Sequence, residues 1–218
     1  MSHLDLMHTW ERVIRRSHLP LAFSQGFNPH PKINFASALA LGTTSDGEYM
    51  DMELTEELPL EQVRQALDMA MPPAFEVTAM KVVRGKVPSL MSIIERGQYQ
   101  LWLDFVDEVT QQQLDQAVEQ FWQQDEVTVY RYKKNSKEKK AMNIRPGVYQ
   151  IKLTADGDHG LLEILVQSGN EGNIRPEEVA YGLMSAGMPP VQQVVRIHRQ
   201  GLYLLNQAGE LVTPLDVV

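Results

Sequence analysis

Six histidines, no cysteine and a run of cations between Arg131 and Arg145 bound the chemistry open to this 218-residue chain. With no thiol present, histidine is the natural acid or base, because an unperturbed imidazole titrates near neutrality. His30 is the first candidate. Pro29 and Pro31 hold it extended within the loop Ser24-Gln25-Gly26-Phe27-Asn28-Pro29-His30-Pro31-Lys32, where Gly26 permits a positive φ. His3 or Asp5 would assist it if the chain is an enzyme acting on RNA or a small molecule. The ordinary alternative for His3 and His30 is a satisfied structural histidine.

Metal chemistry has little support. His3 and His8 lie five residues apart, which on a helix is about 140° of rotation, so they cannot share an ion with good geometry. Asp5 and His8 are better spaced, but Ser2 and Asp5 form the S-x-x-D capping pattern, which already accounts for the carboxylate. The sequence has no G-x-x-x-x-G-K-[ST], G-x-G-x-x-G, H-E-x-x-H or G-x-S-x-G. Without cysteine the chain also cannot build disulfides, thiolate chemistry, cysteine-rich zinc sites or its own iron–sulfur cluster. No cofactor is expected.

A second chemistry is nucleic-acid binding. Tyr130 and Tyr132 alternate with Arg131 and Lys133, and Lys134, Lys137, Lys139, Lys140 and Arg145 follow. Rings that stack on bases beside amines that neutralise phosphates are what an RNA surface requires. Arg12, Arg15, Arg16 and Lys32 would add phosphate contacts. The blander alternatives are tyrosines packed on a sheet, a solvated helix face and a charged loop. Net charge is −8, yet residues 131–145 carry seven cations against Glu138 alone, so a basic segment sits on an acidic body. Hydrophobic content of 43% fits a globular protein. No signal peptide or bilayer-spanning apolar run is evident, which points to the cytoplasm and away from membranes.

The elements that position these residues follow from periodicity. A helix starting at Ser2 places Leu6, Trp10, Val13 and Ile14 on one side and Arg12, Arg15 and Arg16 on the other, and Leu19-Pro20 ends it. Strands are expected over Lys32–Leu41 and Glu48–Leu54, joined by a turn at Gly42–Gly47, and over Phe75–Val83. Gln98–Phe105 alternates as a half-buried strand does. Thr110 and Gln113 cap a helix carrying Leu114, Ala117, Val118, Phe121 and Trp122. Strands at Glu126–Tyr132, Val148–Thr154 and Leu161–Gln167 come next. A helix from Pro176 and strands at Val194–His198 and Leu202–Leu205 close the chain.

The breakers reveal a repeat. Pro176 lies 117 residues after Pro59, and Met188-Pro189-Pro190 lies 117 after Met71-Pro72-Pro73. The expected fold class is α+β: two tandem ferredoxin-like (βαββαβ) modules with antiparallel sheets. Residues 1–84 form the first module, 85–97 a linker, and 98–218 a second module with a basic insert at 131–146. By the logic of the repeat, the first module lacks its N-terminal strand.

Several stretches together resemble a known family. They are Ser2-His3-Leu4-Asp5-Leu6, Leu19 to Lys32 with its Gly-Phe-Asn-Pro-His-Pro loop, Leu41-Gly42 and Ser45 to Tyr49. Asn143-Ile144-Arg145-Pro146 and Arg175-Pro176-Glu177-Glu178-Val179 continue the likeness. Over essentially its whole length the chain resembles the radical SAM-associated (radical SAM-linked) domain-of-unknown-function family. Members of that family usually have a strand before S-H-L-D-L, and aspartate more often than Asn143. The resemblance implies a partner rather than a reaction, since the family occurs fused to or encoded beside radical SAM enzymes, often near genes for RNA processing. The expectation is an RNA-binding accessory protein, without catalysis of its own, that presents a transfer or ribosomal RNA to a radical SAM partner. A catalytic role for His30 and a pure protein-interaction module are the alternatives.

Overall fold

A computed structural model describes residues 3–132, 136 and 138–217, and the His3 side chain lies outside that description. The chain divides into two compact units, each discontinuous in sequence. The first comprises residues 1–41, 48–94 and 204–218, and the second residues 42–47 and 95–203. The architecture is mixed α+β, with sheets that are antiparallel except at one strand.

In the first unit, α1 (His3–Ser17) and α2 (Leu60–Ala70) pack together, and Val13, Ile14, Val63 and Leu67 form the buried seam. The chain leaves α1 through His18, a non-glycine residue at φ 53°. Histidine is among the few side chains that tolerate the left-handed region, so the helix stops before Pro20 has to break it. The Ser2 half of the expected cap lies outside the described residues.

The expected long strands shrink here. β1 (Ile33–Phe35) and β3 (Met50–Met52) pair antiparallel, Asn34 opposite Asp51, and little else of 32–41 or 48–54 is regular. The turn expected at Gly42–Gly47 holds a strand instead. β2 (Thr43–Ser45) belongs to the second unit, where it pairs in parallel with a distant segment. Phe75–Val83 forms no strand at all, because its β-branched residues meet no ladder edge; only Val77 and Met80 reach the core. The stretch read as a linker contains the short helix α3 (Leu90–Ile93), pinned by buried Leu90 and Ile94.

The second unit follows its sequence pattern closely. β4 (Arg96–Phe105) alternates strictly, burying Tyr99, Leu101, Leu103 and Phe105. Thr110 caps α4 (Gln111–Gln123): its hydroxyl accepts from the Gln113 amide, and its own N–H donates to Gln113 Oε1 at 2.9 Å. β5 (Thr128–Tyr132) and β6 (Lys139–Asn143) form a separate hairpin. β7 (Val148–Asp156), β8 (His159–Gln167) and, after the helix α5 (Pro176–Ser185), β9 (Val191–Leu205) complete the main sheet, in the order β9-β4-β8-β7. The two strands expected at the end are one, bent by register shifts against β4. Its last two residues, Leu204 and Leu205, belong to the first unit, where they pair with β10 (Leu211–Val212), and α6 (Pro214–Val217) follows.

The second unit's core sits between α4, α5 and this sheet. Phe121, Leu114, Ile144, Leu183 and Val179 have no measurable exposure. Gly182 makes the close packing possible, since a Cβ there would lie 2.8 Å from Val127 Cγ1 and 2.9 Å from the Phe121 ring.

One exposed pair on this sheet sets a pH dependence. His159 Nδ1 lies 2.8 Å from Asp104 and its Nε2 3.4 Å from Asp158. The Asp104 hydrogen bond and the Asp158 charge hold the imidazole above its ordinary value, while hydrogen bonds from Gln193 and then His159 hold the Asp104 carboxyl below its own. The imidazole's contribution to stability is fully present below about pH 6.5 and is lost as pH rises through its raised folded value. The carboxylate's is present above about pH 3.9 and is lost as pH falls through its lowered one. Urea midpoints should therefore show a shallow decline from pH 6.5 to 8.5 that His159→Gln removes.

Candidate nucleic-acid interface

The β5–β6 hairpin decides how the basic segment is displayed. Directly opposed residues share a face, so Thr128, Tyr130 and Tyr132 lie with Asn143, Ala141 and Lys139, while Val129 and Arg131 lie with Met142 and Lys140. The second face is the anchored one. Val129 is buried, and Arg131 Nε and Nη2 donate to the two Glu178 oxygens at 2.6 Å, with Nη2 also reaching the Asn173 carbonyl. The Glu178 bond raises the Arg131 pKa above its ordinary value.

With one face docked, the other is turned to solvent. Tyr130 is 66% exposed and Tyr132 68% exposed, so neither ring packs on the sheet as the blander alternative has it. The two rings stand two residues apart, about 6.6–6.8 Å along the strand. Lys139 Nζ lies 5.3 Å from the Tyr132 ring centroid, so an amine sits beside a stacking surface. Lys140 is exposed but on the other face. Lys133, Lys134 and Lys137 lie outside the described residues.

Arg145 has a different role from the one its charge suggests. Its guanidinium stacks 4.4 Å from the Trp122 ring centroid, and Nη2 donates to the Trp122 carbonyl at 3.2 Å. Asn143 closes the base of the hairpin, its Oδ1 accepting from the Val127 and Arg145 amides at 3.0 Å each. Both residues hold the hairpin in place.

The candidates in the first unit are more dispersed in role. Arg12, Arg15 and Arg16 occupy the outer face of α1, as expected. Arg12 bonds Thr9 Oγ1 at 3.2 Å, and Arg16 Nη2 donates to the Ala70 carbonyl at 2.6 Å, tying α1 to α2. Lys32 is engaged by Glu53, its Nζ 2.9 Å from both carboxylate oxygens. His30 is exposed on a pinned loop: its N–H donates to Ser24 Oγ, and its carbonyl accepts from the Ser24 amide.

The structure also assembles a polar cluster in the second unit that periodicity did not reveal. Thr44 Oγ1 lies 2.9 Å from His198 Nδ1, and His198 Nε2 lies 3.2 Å from Asp46 Oδ2. Arg196 Nη2 donates to Thr44 Oγ1 at 3.3 Å, and its guanidinium stacks 4.8 Å from the Trp102 ring centroid. The hydroxyl–imidazole–carboxylate order has the outward form of a nucleophile relay. Thr44, however, is also taken up by Arg196, and the arrangement clamps the edge strand β2 onto β9. No signal in the sequence joins residues 154 positions apart. Among the described residues no group of three or more histidine and acidic side chains could hold a metal ion.

A family profile described as an uncharacterized protein conserved in bacteria (DUF2344) matches residues 1–176, which takes in α1, the loop with His30, the hairpin and most of the main sheet. The chain belongs to that family. No curated protein matches this family member. Among solved structures, a chain in the crystal structure of a Cbf5-Nop10-Gar1 complex superposes with a TM-score of 0.51 at 11% identity, covering 100% of this chain and 50% of that one. Chains in an archaeal box H/ACA sRNP Nop10-Cbf5 complex and in an H/ACA RNP bound to a substrate RNA containing 2'-deoxyuridine give 0.44 and 0.43, at 12% and 11% identity. These two alignments cover 91% and 93% of this chain and 43% and 42% of those. The family member therefore spans half or less of the solved chains it matches. At such identity the first likeness shows a shared fold and nothing of activity.

Proposed function

We propose that this protein is an RNA-binding accessory subunit that presents RNA to a radical SAM enzyme. One observation carries the RNA reading: the solvent face of the β5–β6 hairpin displays Tyr130 and Tyr132 side by side, with Lys139 against the second ring. Each exposed ring offers a sequence-tolerant platform for one base, and the lysine offers the charge its phosphate needs. By sequence Lys133, Lys134 and Lys137 add to that charge, and Lys140 serves a phosphate on the other side. Arg12 and Arg15 supply the outer cations of the first unit, with Arg16 and Lys32 reached only by giving up their present contacts. The radical SAM partner is supported by the family resemblance and by the absence of cysteine, which leaves any cluster to be held elsewhere.

The same reading treats the units as tandem ferredoxin-like modules. It rests on the β9-β4-β8-β7 order, which is that of a βαββαβ sheet once the basic hairpin is set aside as an insert, and on the 117-residue offset between α2 and α5.

Fluorescence anisotropy with a labelled single-stranded RNA dodecamer, titrated over a range of KCl concentrations, tests the proposal. Tyr132→Ala is expected to weaken binding by about 1–3 kcal/mol, roughly 5–150-fold, and Lys139→Ala to reduce the slope of log affinity against log salt by about 0.7. Salt-independent affinity, or unchanged binding in both variants, would exclude RNA recognition by this face.

A further inference from the structure

The main sheet of the second unit has a face that its own helices leave bare. Among the described residues, α4 and α5 both pack on the side of Tyr99, Leu101, Leu103 and Phe105. The alternate residues of β4, from Arg96 through Gln98, Gln100 and Trp102 to Asp104, stand on the opposite side.

Cross-strand register sets the residues of that face in rows. In the middle row Thr154, Leu161, Trp102 and Arg196 lie side by side on β7, β8, β4 and β9. Trp102 and Leu161 are half-buried, whereas Thr154 and Arg196 are exposed. The Arg196 guanidinium stacks 4.8 Å from the Trp102 ring centroid. Its Nε and Nη2 share the one Thr44 hydroxyl, at 3.4 and 3.3 Å, which leaves Nη1 for an incoming group. The same pairing recurs at the start of β4. There the Arg96 guanidinium lies 3.9 Å from the centroid of the exposed Tyr149 ring, and its Nη1 donates to the Glu95 carbonyl at 3.0 Å.

The charges of the face suit an anion at these two stacks. Its inner carboxylates are matched in place: Glu163 has Lys152 at 3.0 Å and Gln100 at 3.1 Å, and Asp104 has His159 and Gln193 at 2.8 Å each. Asp46, against His198, and Asp156 and Asp158, around His159, lie at the margins of the sheet. Among the described residues neither Arg96 nor Arg196 pairs with a carboxylate. Unpaired bases stack on aromatic rings and on guanidinium planes, and a bare four-stranded sheet face is one way that proteins display such groups to RNA. Arg96 and Trp102 stand six positions apart on β4, about 20 Å, which is roughly six stacked nucleotides at 3.4 Å each.

We propose that the bare face of the main sheet binds single-stranded RNA. One base stacks on the Arg196–Trp102 pair and another on the Arg96–Tyr149 pair, and the remaining guanidinium donors take phosphates. Duplex RNA, whose bases are stacked on one another, offers no such free base. The inference rests on the RNA reading above but shares no residue with the hairpin, so the two surfaces fail or stand separately.

The probes are the labelled single-stranded dodecamer and a blunt duplex of the same length, each added to the whole protein. Tighter binding of the single strand is expected. Arg96→Gln combined with Arg196→Gln should weaken that binding about tenfold or more and lower the salt slope by about 1.4, with the urea midpoint nearly unchanged. With 4-thiouridine in the dodecamer, photo-crosslinks should fall on peptides carrying Trp102 and Tyr149. Full affinity in the double variant, crosslinks confined to Tyr130 and Tyr132, or equal affinity for the duplex overturns the proposal and leaves the hairpin reading standing. Crosslinks confined to the sheet overturn the hairpin reading and uphold this one, while salt-independent affinity overturns both.

Discussion

Phe121→Ala is expected to cost about 3–5 kcal/mol, the upper range for a core truncation. Phe121 has no measurable exposure, meets Trp122 edge-on at 5.6 Å between ring centroids, and fills the space that Gly182 opens on α5. Removing the ring deletes its transfer energy and leaves a hole walled by Val127, Ile144 and Gly182. Val127 and Ile144 sit at the base of the hairpin, tied by the Ile144 N–H to the Val127 carbonyl at 2.8 Å, and Gly182 lies within α5, so little collapse can follow. The loss also spreads outward: Trp122 is the surface on which Arg145 stacks, and Arg145 helps hold the base of the hairpin. Urea unfolding should show the midpoint of the second unit falling sharply with little change in slope, whereas Phe121→Leu, which refills much of the volume, should lose less than half as much. A Phe121→Ala loss below about 1 kcal/mol would mean that the α4–α5 layer is not closely packed.

Local signals were the legible ones. The Thr110–Gln113 capping box, the Tyr99 to Phe105 alternation and the two Met-Pro-Pro breakers each act within a few residues, and each marks an element where the structure has one. What failed depended on partners far along the chain. Thr43–Ser45 is turn-rich by composition, yet it forms a strand because β9, some 154 residues away, offers it an edge. Phe75–Val83 is strand-like by composition, yet it forms none because no edge reaches it. A strand is a property of a pair, and residue types report only one member.

Charge counting met the same limit. Residues 131–145 read as one cationic patch, but Arg131 is spent on Glu178 and Arg145 on Trp122, which among the described residues leaves Lys139 and Lys140 exposed on opposite faces. A net charge of +6 records amines and guanidinium groups, not which of them already have a partner. The tyrosines were left open by the same limit. Period 2 showed that Tyr130 and Tyr132 share a face, but only the burial of Val129 on the other face shows that theirs is the wet one.

That asymmetry makes Glu178 the residue on which the display depends. A lone two-stranded hairpin is marginal in water, and among the described residues β5–β6 pairs with no further strand. It is held by buried Val129, by Ile144 at its end and by the Arg131–Glu178 pair, whose side chains are 25% and 10% exposed. Glu178 also accepts the Arg175 amide at 3.0 Å, closing the N-terminal turn of α5. Glu178→Ala therefore removes a cap and leaves a half-buried guanidinium with the Asn173 carbonyl as its remaining partner here. The expected cost is about 2–3 kcal/mol, below the range for a fully buried pair because Arg131 keeps some access to water. The loss should fall unevenly. Hydrogen exchange at Val129 and Met142 should accelerate far more than in β4 or β8, and RNA affinity should fall even though no group placed against RNA has changed. Glu178→Gln keeps the shape and the cap acceptor and should recover part of both effects. Uniform acceleration across the whole sheet would show that the hairpin and the main sheet unfold as one, and that its stacking face is held by the body of the unit rather than by this pair.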